Sequence, residues 1–228
     1  MSASSTETRP LAVVTGATGG IGRACVVDLA RDHDVLALGR DAGRLAELSG
    51  LPHVTVRAAD LTDVAALPSV VAGLDRVDVL VHSAAVAGRT TVEAASVADW
   101  RAQLELNVVV PAELTRLLLP ALRAARGKVV FLNSGSGLNA RAGDAVYAAS
   151  KFALRALADS LRQEVEADGV VVSSVHPGPV EPPARRRGVS CDSWGAMVPL
   201  VTAVSGRNTP SRRSLAHLVW TGLGFPYI

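Results

Sequence analysis

The sequence predicts an α/β fold in which a single doubly wound parallel sheet is flanked by helices. Short runs rich in β-branched residues alternate with longer segments of helical period between residues 11 and 175. Most of these runs are continuously apolar, as expected for strands that are covered on both faces. The chain has 228 residues, enough for one domain to bury a sizeable core.

Six strands and five helices are predicted in alternation. The predicted strands are residues 11–15, 34–38, 53–58, 77–82, 128–133 and 170–175. The predicted helices are residues 20–31, 42–48, 63–72, 97–124 and 144–167. No internal repeat and no linker divides the first 180 residues, so we expect one domain over residues 1–228.

Composition and charge exclude several classes of protein. The 23 basic and 21 acidic residues are too balanced for a nucleic-acid-binding surface. No apolar run approaches the roughly 18 residues of a membrane helix, and residues 1–10 lack the apolar stretch of a signal peptide. Cys25 and Cys191 are too few for a disulfide framework or a zinc cluster. We therefore expect a cytoplasmic protein with no nucleic acid, membrane or metal partner.

The C-terminal segment is atypical. Residues 1–182 hold 17 Lys and Arg against 20 Asp and Glu, whereas residues 183–228 hold six Arg, no Lys and one acid, Asp192. No convincing seventh strand follows residue 183, and without one the sixth strand would be an unprotected edge. A divergent substrate lid and a segment read out of frame both explain the change, and sequencing the gene there decides between them.

A glycine-rich turn, TGATGGIG at residues 15–22, joins the first predicted strand to the first predicted helix. A Rossmann-type fold binds a dinucleotide pyrophosphate at this place. Gly16 permits the tight turn, Gly20 lets the backbone approach the phosphates, and Gly22 lets the helix pack close to the sheet. An ordinary glycine-rich turn is the alternative. The candidate cofactor-binding residues of the turn are Gly16, Thr18, Gly19, Gly20, Ile21 and Gly22.

Arg40 follows the second predicted strand, where a site selective for NAD would place an acid to hold the ribose 2′-hydroxyl. Arginine can instead hold a 2′-phosphate through its planar guanidinium, and the missing acid removes the group that would repel this phosphate. NADP(H) is therefore favoured over NAD(H). Alternatively, Arg40 is a solvated charge before a helix that Asp41 caps.

The spacing T-G-x-x-x-G-x-G resembles that of the short-chain dehydrogenase/reductase family, and the length and architecture of the chain agree with it. The resemblance covers about residues 10 to 181. It implies an oxidoreductase that interconverts a carbonyl and a secondary alcohol on a small-molecule substrate, by hydride transfer with NADP(H).

Four residues match the catalytic set of this family. Tyr147 and Lys151 lie four residues apart, hence on one face of a helix. We expect the lysine charge and the nicotinamide charge to lower the phenol pKa from about 10, so that Tyr147 exchanges a proton with the substrate oxygen. Lys151 would also hold the nicotinamide ribose. Ser134 would donate a hydrogen bond to the substrate oxygen, with Ser136 as the alternative serine.

Asn107 is the fourth member of the set. Pro111 has no N–H, so the carbonyl of residue 107 loses its helical partner and we expect the helix to bend there. The resemblance implies that the freed carbonyl binds a water, which continues the proton path from the lysine to solvent. A kink needed only for packing is the alternative.

Two further segments match cofactor contacts in the first half of the chain. Asp60 and Leu61 follow the third predicted strand, where an acid of the family contacts the adenine, although Asp60 could equally cap a helix. HSAA at residues 82–85 replaces the family's Asn-Asn-Ala-Gly. We expect His82 to be a hydrogen-bonded structural residue. The small residues that still allow close approach to the cofactor are Ser83, Ala84 and Ala85.

The loop after the sixth predicted strand matches a family segment that contacts the nicotinamide carboxamide. The matching residues are Pro177, Gly178 and Val180, but Pro182 stands where the family has a threonine. A non-catalytic NADP(H)-binding regulatory or scaffold protein on the same fold is the alternative function. Family members often pair through two long helices, here residues 97–124 and 144–167, so a homodimer or homotetramer is expected.

Overall fold

The computed structural model describes residues 9–177, which contain a six-stranded sheet. The strands are β1 Leu11–Thr15, β2 Asp34–Gly39, β3 Val54–Ala58, β4 Val79–His82, β5 Lys128–Leu132 and β6 Val171–Val175. Their order is β3-β2-β1-β4-β5-β6, and every neighbouring pair is parallel. The predicted doubly wound sheet is confirmed, with the strand order reversing between β1 and β4. The C-terminal segment, residues 183–228, lies outside the described residues.

Helices cover both faces of the sheet. They are α1 Gly20–Leu29, α2 Ala42–Ser49, α3 Leu67–Val70, α4 Val97–Leu104, α5 Val110–Ala125 and α6 Ala145–Glu164. One buried apolar cluster joins the sheet to α3, α5 and α6, and the other joins it to α1 and α2. Alternate strand residues, such as Val13 and Val14, belong to opposite clusters. Burial on both faces explains why the strands read as continuous apolar runs.

The segment after β3 is less helical than the sequence predicts. A helix over residues 63–72 is expected, but the structure has a 3₁₀ turn at Val64–Ala66 followed by the four residues of α3. Pro68 lacks the N–H that would bond to the carbonyl of Val64, so one α-helix cannot run through both. The other predicted bounds differ from the observed ones by at most three residues.

The long helix predicted for residues 97–124 is interrupted where the sequence predicts a bend. Between α4 and α5, Glu105–Val109 form a π-helical turn. Pro111 lies in the first turn of α5 and has no amide to donate to residue 107. The wider turn accommodates the missing hydrogen bond. A break near Asn107 is thus confirmed, and its form is a π turn, which is frequent at functional sites.

Replacing Gly22 by alanine is expected to destabilise the fold. A Cβ atom at Gly22 would lie 2.2 Å from the carbonyl oxygen of Gly16, and the backbone would have to shift. Overpacking of this kind costs about 1–3 kcal/mol of unfolding free energy. Gly20→Ala is the matched control in the same helix, because nothing lies within 4 Å of a Cβ atom there. Chemical denaturation measures both variants, and equal stabilities would contradict the packing role of Gly22.

Candidate functional site

The site lies at the carboxyl edge of the sheet, where the loops after β1, β4 and β5 meet. Parallel strands all end at one edge, and ligands of such folds bind beside the point where the strand order reverses. In the sheet register, Thr15 lies beside His82 and His82 lies beside Phe131. The glycine turn, the loop after His82 and the loop that begins at Asn133 are therefore neighbours.

The glycine turn is bound directly to the loop after β4. The Thr15 hydroxyl oxygen accepts hydrogen bonds from the amides of Ser83 and Ala84, each at 3.1 Å. The same hydroxyl donates to the carbonyl of Val81 at 3.3 Å. Gly16 has a φ of +65°, and a Cβ atom on it would lie 2.6 Å from the amide nitrogen of Ala84. Glycine is thus required at residue 16 for both its conformation and this contact.

The start of α1 fits a bound pyrophosphate. Gly19 is the N-cap residue and has no side chain to accept from the amides of the first turn. The space around Gly20 is open, so an outside group can reach this backbone. The helix dipole adds partial positive charge at the same point. Of the residues that flank Gly19 and Gly20, Thr18 packs on Gly39 at the end of β2 and Ile21 packs against the core.

Arg40 and Asp60 lie exposed beyond the ends of β2 and β3. The Asp60 carboxylate accepts hydrogen bonds from the Thr62 hydroxyl at 2.7 Å and from the Thr62 amide at 3.0 Å. These bonds, and then the nearby charge of Arg40, lower the pKa of the Asp60 carboxyl. Asp60 does not cap a helix, since Asp63 caps the following 3₁₀ turn. The neighbouring Leu61 is buried in the core.

Ser134 and Tyr147 are brought together from different elements. Ser134 follows β5, Tyr147 lies in the first turn of α6, and the Ser134 hydroxyl is close enough to the Tyr147 phenol to affect its pKa. The Ser134 hydroxyl oxygen also accepts from the amide of Ser136 at 3.1 Å. The hydroxyl still carries one proton that it can donate.

The alternative serine has a different partner. The Ser136 hydroxyl donates to the carboxylate of Asp144 at 2.7 Å, just before α6. Of the two serines, Ser134 is the one that affects the pKa of the Tyr147 phenol. The geometry therefore favours Ser134, the residue that the family motif indicates.

Lys151 is buried one helical turn after Tyr147. Its ammonium donates to the carbonyl of Leu132 at 2.9 Å and lies 5.7 Å from the centroid of the Tyr147 ring. Burial lowers the pKa of Lys151 to about 8. The ammonium therefore remains mostly charged at neutral pH.

The surroundings of Tyr147 raise the pKa of its phenol. Burial has the largest effect, the hydrogen bond with Ser134 acts in the opposite direction, and the charge of Asp144 adds to the increase. The prediction that Lys151 lowers this pKa is therefore wrong for the chain alone. The ammonium is directed at the Leu132 carbonyl, and spacing along a helix does not determine that direction.

Asn107 joins the π turn to two parts of the site. Its side-chain oxygen accepts from the amide of Val86, and its side-chain nitrogen donates to the Val86 carbonyl and to the Ser150 hydroxyl, all at 2.9 Å. Ser150 in turn donates to the carbonyl of Tyr147 at 2.8 Å. The side chain thus links the loop after β4 to the helix that carries Tyr147. A water at the backbone carbonyl of residue 107 stays a prediction.

His82 is a hydrogen-bonded structural residue, as predicted. Its ring is buried, lies 2.9 Å from the Thr115 hydroxyl through Nε2, and stacks on Phe131 with centroids 4.9 Å apart. Burial lowers the pKa of His82 to about 3, so the ring is neutral at pH 7. After it, the Ser83 and Ala84 amides bind the Thr15 hydroxyl. Ala85, next in the loop, is exposed.

A polar group beside Ser134 was not predicted from the sequence. Asn133, Ser174 and His176 are all buried next to the end of β5. Their signal in the sequence is the presence of polar residues in, or directly after, strands that are otherwise apolar. Pro177 follows them, and its carbonyl accepts from the amide of Gly135 at 3.1 Å. Of the predicted loop contacts, Gly178 and Val180 lie outside the described residues.

Two general features of the described residues bear on function. No helix within residues 9–177 is both long and apolar enough to cross a membrane. Over the same residues, no three His, Cys, Asp or Glu side chains lie together in a way that could hold a metal ion.

Comparison with known proteins gives consistent matches. The family model described as short chain dehydrogenase matches residues 10–190. A short-chain type dehydrogenase/reductase of Sinorhizobium fredii is 34% identical over 177 residues, which are 75% of this chain and 70% of the relative. An oxidoreductase of Staphylococcus epidermidis is 30% identical over 181 residues, which are 76% of this chain and 79% of the relative.

Solved structures of short-chain dehydrogenases have the same fold as this chain. A short-chain dehydrogenase from Streptomyces avermitilis superposes with a TM-score of 0.74 and 32% identity, covering 80% of this chain and 70% of that chain. A metagenomic short-chain oxidoreductase in complex with NADP superposes with a TM-score of 0.70 and 33% identity, covering 76% of this chain and 84% of that chain. The chain therefore belongs to the short-chain dehydrogenase/reductase family and is an oxidoreductase that acts on CH–OH groups with NAD(P).

Proposed function

We propose that the protein is an NADP(H)-dependent oxidoreductase that interconverts a carbonyl and a secondary alcohol by hydride transfer. The observation that carries the proposal is the proximity of Ser134 and Tyr147 at the ligand-binding edge of the sheet, where the Ser134 hydroxyl lies close enough to the phenol to affect its pKa. Two hydroxyls that lie close together can both bind a single substrate oxygen. A carbonyl oxygen needs such donors because it gains negative charge as its carbon is reduced.

Hydride chemistry is supplied by NADP(H) when it is bound. The glycine turn would hold the pyrophosphate, and Arg40 would hold the 2′-phosphate. Asp60 and Leu61 would contact the adenine, and Lys151 would hold the nicotinamide ribose. The loop after β4 closes on the glycine turn through Thr15, which supports a cofactor position between them. Pro177, Gly178 and Val180 complete the proposed contacts on the nicotinamide side.

Tyr147 would give a proton to the substrate oxygen in reduction and take it back in oxidation. Its raised pKa keeps the phenol protonated at neutral pH, which suits the donor needed for reduction. In this role Ser134 hydrogen-bonds the same substrate oxygen. Asn107 supports Tyr147 by holding its helix against the loop after β4.

The preference for NADP(H) is supported by Arg40. The residue is exposed at the end of β2, where its guanidinium can meet a phosphate, while Asp41 is occupied in capping α2 through the Arg44 amide at 3.0 Å. The metagenomic relative, 33% identical, was solved in complex with NADP.

The proposal includes pairing of the chain and a cytoplasmic location. Large apolar side chains are exposed on the helices that we expect to pair, with Val109 on the π turn and Phe152 on α6. Covering them in a homodimer or homotetramer would bury apolar area that otherwise faces water.

Turnover tests the proposed function. Oxidation of NADPH is followed with a panel of ketones, aldehydes and quinones, beside the same panel with NADH. Consumption of NADPH with a carbonyl substrate is expected. Tight NADPH binding with no turnover on any substrate would instead favour the non-catalytic NADP(H)-binding alternative.

Tyr147→Phe removes only the phenolic oxygen. We expect kcat for carbonyl reduction to fall by a factor of about 10² to 10⁴, because the proton donor is lost. NADPH affinity, measured by fluorescence titration, should change little. A variant that keeps more than half of the wild-type turnover would exclude Tyr147 as the proton donor.

Arg40→Gln tests the choice of cofactor. We expect kcat/KM for NADPH to fall by about 10- to 100-fold, since a charged hydrogen bond to a phosphate is lost, while kcat/KM for NADH stays nearly constant. Arg44→Gln is the matched control, because Arg44 is exposed on α2 and pairs with Asp41 at 3.5 Å. An equal loss with both cofactors would argue against a 2′-phosphate contact.

Asn107→Leu keeps the branching of the side chain at Cγ and removes its hydrogen bonds. We expect turnover to fall at least about tenfold, because the amide and carbonyl of Val86 lose their partner and the helix of Tyr147 loses a support. Steady-state kinetics measures the effect, with thermal denaturation to confirm folding. Full turnover in a folded variant would show that the π turn serves packing alone.

A further inference from the structure

We propose that His176 is a positioning residue, which holds Ser134 in the orientation that carbonyl reduction requires; this inference rests on the proposed function. His176 directly follows β6, and β6 is the sheet neighbour of β5. The imidazole therefore lies beside the residues that follow β5. Its Nδ1 atom is 3.0 Å from the carbonyl oxygen of Ser134.

The His176 ring is held from its other side as well. Its Nε2 atom lies 3.1 Å from the hydroxyl of Ser174, and the same hydroxyl accepts from the side-chain amide of Asn133 at 3.4 Å. The side-chain oxygen of Asn133 accepts the amide of Ser134 at 2.9 Å. Asn133, Ser174 and His176 thus form a closed path of hydrogen bonds from one backbone group of Ser134 to the other.

One arrangement of protons satisfies every atom of this path. The Ser134 carbonyl can only accept, so Nδ1 of His176 carries the hydrogen and donates it. Nε2 then accepts from the Ser174 hydroxyl, whose oxygen accepts from Asn133. The arrangement requires a neutral ring. Burial has the largest effect on the pKa of His176 and lowers it, so the ring is neutral at pH 7.

These hydrogen bonds fix the backbone from which the catalytic hydroxyl of Ser134 extends. Both backbone groups of Ser134 are bound, and a further bond from the Gly135 amide to the Pro177 carbonyl fastens the same loop to the segment after β6. The remaining freedom is rotation of the Ser134 side chain, which the Ser136 amide restricts. Rates of such reactions fall steeply when a reacting group is misplaced by about 1 Å.

Substitutions of His176 test the proposal. We expect His176→Leu to lower kcat about 10-fold or more with KM for NADPH nearly unchanged, because an interaction that positions the hydroxyl is lost. His176→Asn places an amide donor where Nδ1 was, and is expected to keep kcat within about threefold of wild type. His33→Leu is the control and should leave kcat unchanged, because His33 directly precedes β2, at the amino-terminal ends of the strands and away from the site. Equal losses in the Leu and Asn variants would overturn the proposal.

A double variant separates positioning from general packing. If His176 acts through Ser134, adding His176→Leu to Ser134→Ala should cause no further loss of kcat. If the double variant instead loses kcat by the product of the two single losses, the inference is overturned and the proposed reaction still stands.

Nitrogen-15 NMR of the histidine side chains gives a readout that does not need turnover. The resonances of His176 are assigned by their loss in His176→Asn. A protonated Nδ1 and an unprotonated Nε2 are expected at pH 7, and the opposite tautomer would overturn the inference. Absence of turnover in the wild-type protein, with the expected tautomer present, would contradict the proposed function and the role of His176 in it.

Discussion

A buried ammonium group holds the candidate site together. Lys151 donates to the carbonyl of Leu132, the last residue of β5, and only 2% of the lysine is exposed. A buried charge without a hydrogen-bond partner costs several kcal/mol, so this contact constrains how α6 packs on the sheet. Tyr147 is one turn earlier on α6, and Ser134 is two residues beyond Leu132. Their meeting is a consequence of this packing.

Side-chain hydrogen bonds extend this arrangement from the glycine turn to the end of β6. Thr15 binds the glycine turn to the loop after β4, and Asn107 binds that loop to the π turn and, through Ser150, to α6. The proposed phosphate site and the proposed proton donor therefore belong to one hydrogen-bonded framework. On the far side of Ser134, His176 connects the loop after β5 to the end of β6.

The sequence predicts the features that depend on local chemistry. Apolar runs identify all six strands, and Pro111 identifies the break in the long helix. It does not predict contacts that form only when distant strands meet, such as that between His176 and Ser134. Nor does it predict the raised pKa of Tyr147, because burial and the direction of the Lys151 ammonium are properties of the folded chain.

Hydride transfer from NADPH to a carbonyl carbon is the reaction that we propose for the site. It is tested most directly with NADPH that carries deuterium at both C4 positions of the nicotinamide and a ketone that the protein reduces. Mass spectrometry of the alcohol is expected to show one deuterium, located on the carbinol carbon. An alcohol without deuterium, formed while NADPH is consumed, would contradict the claim.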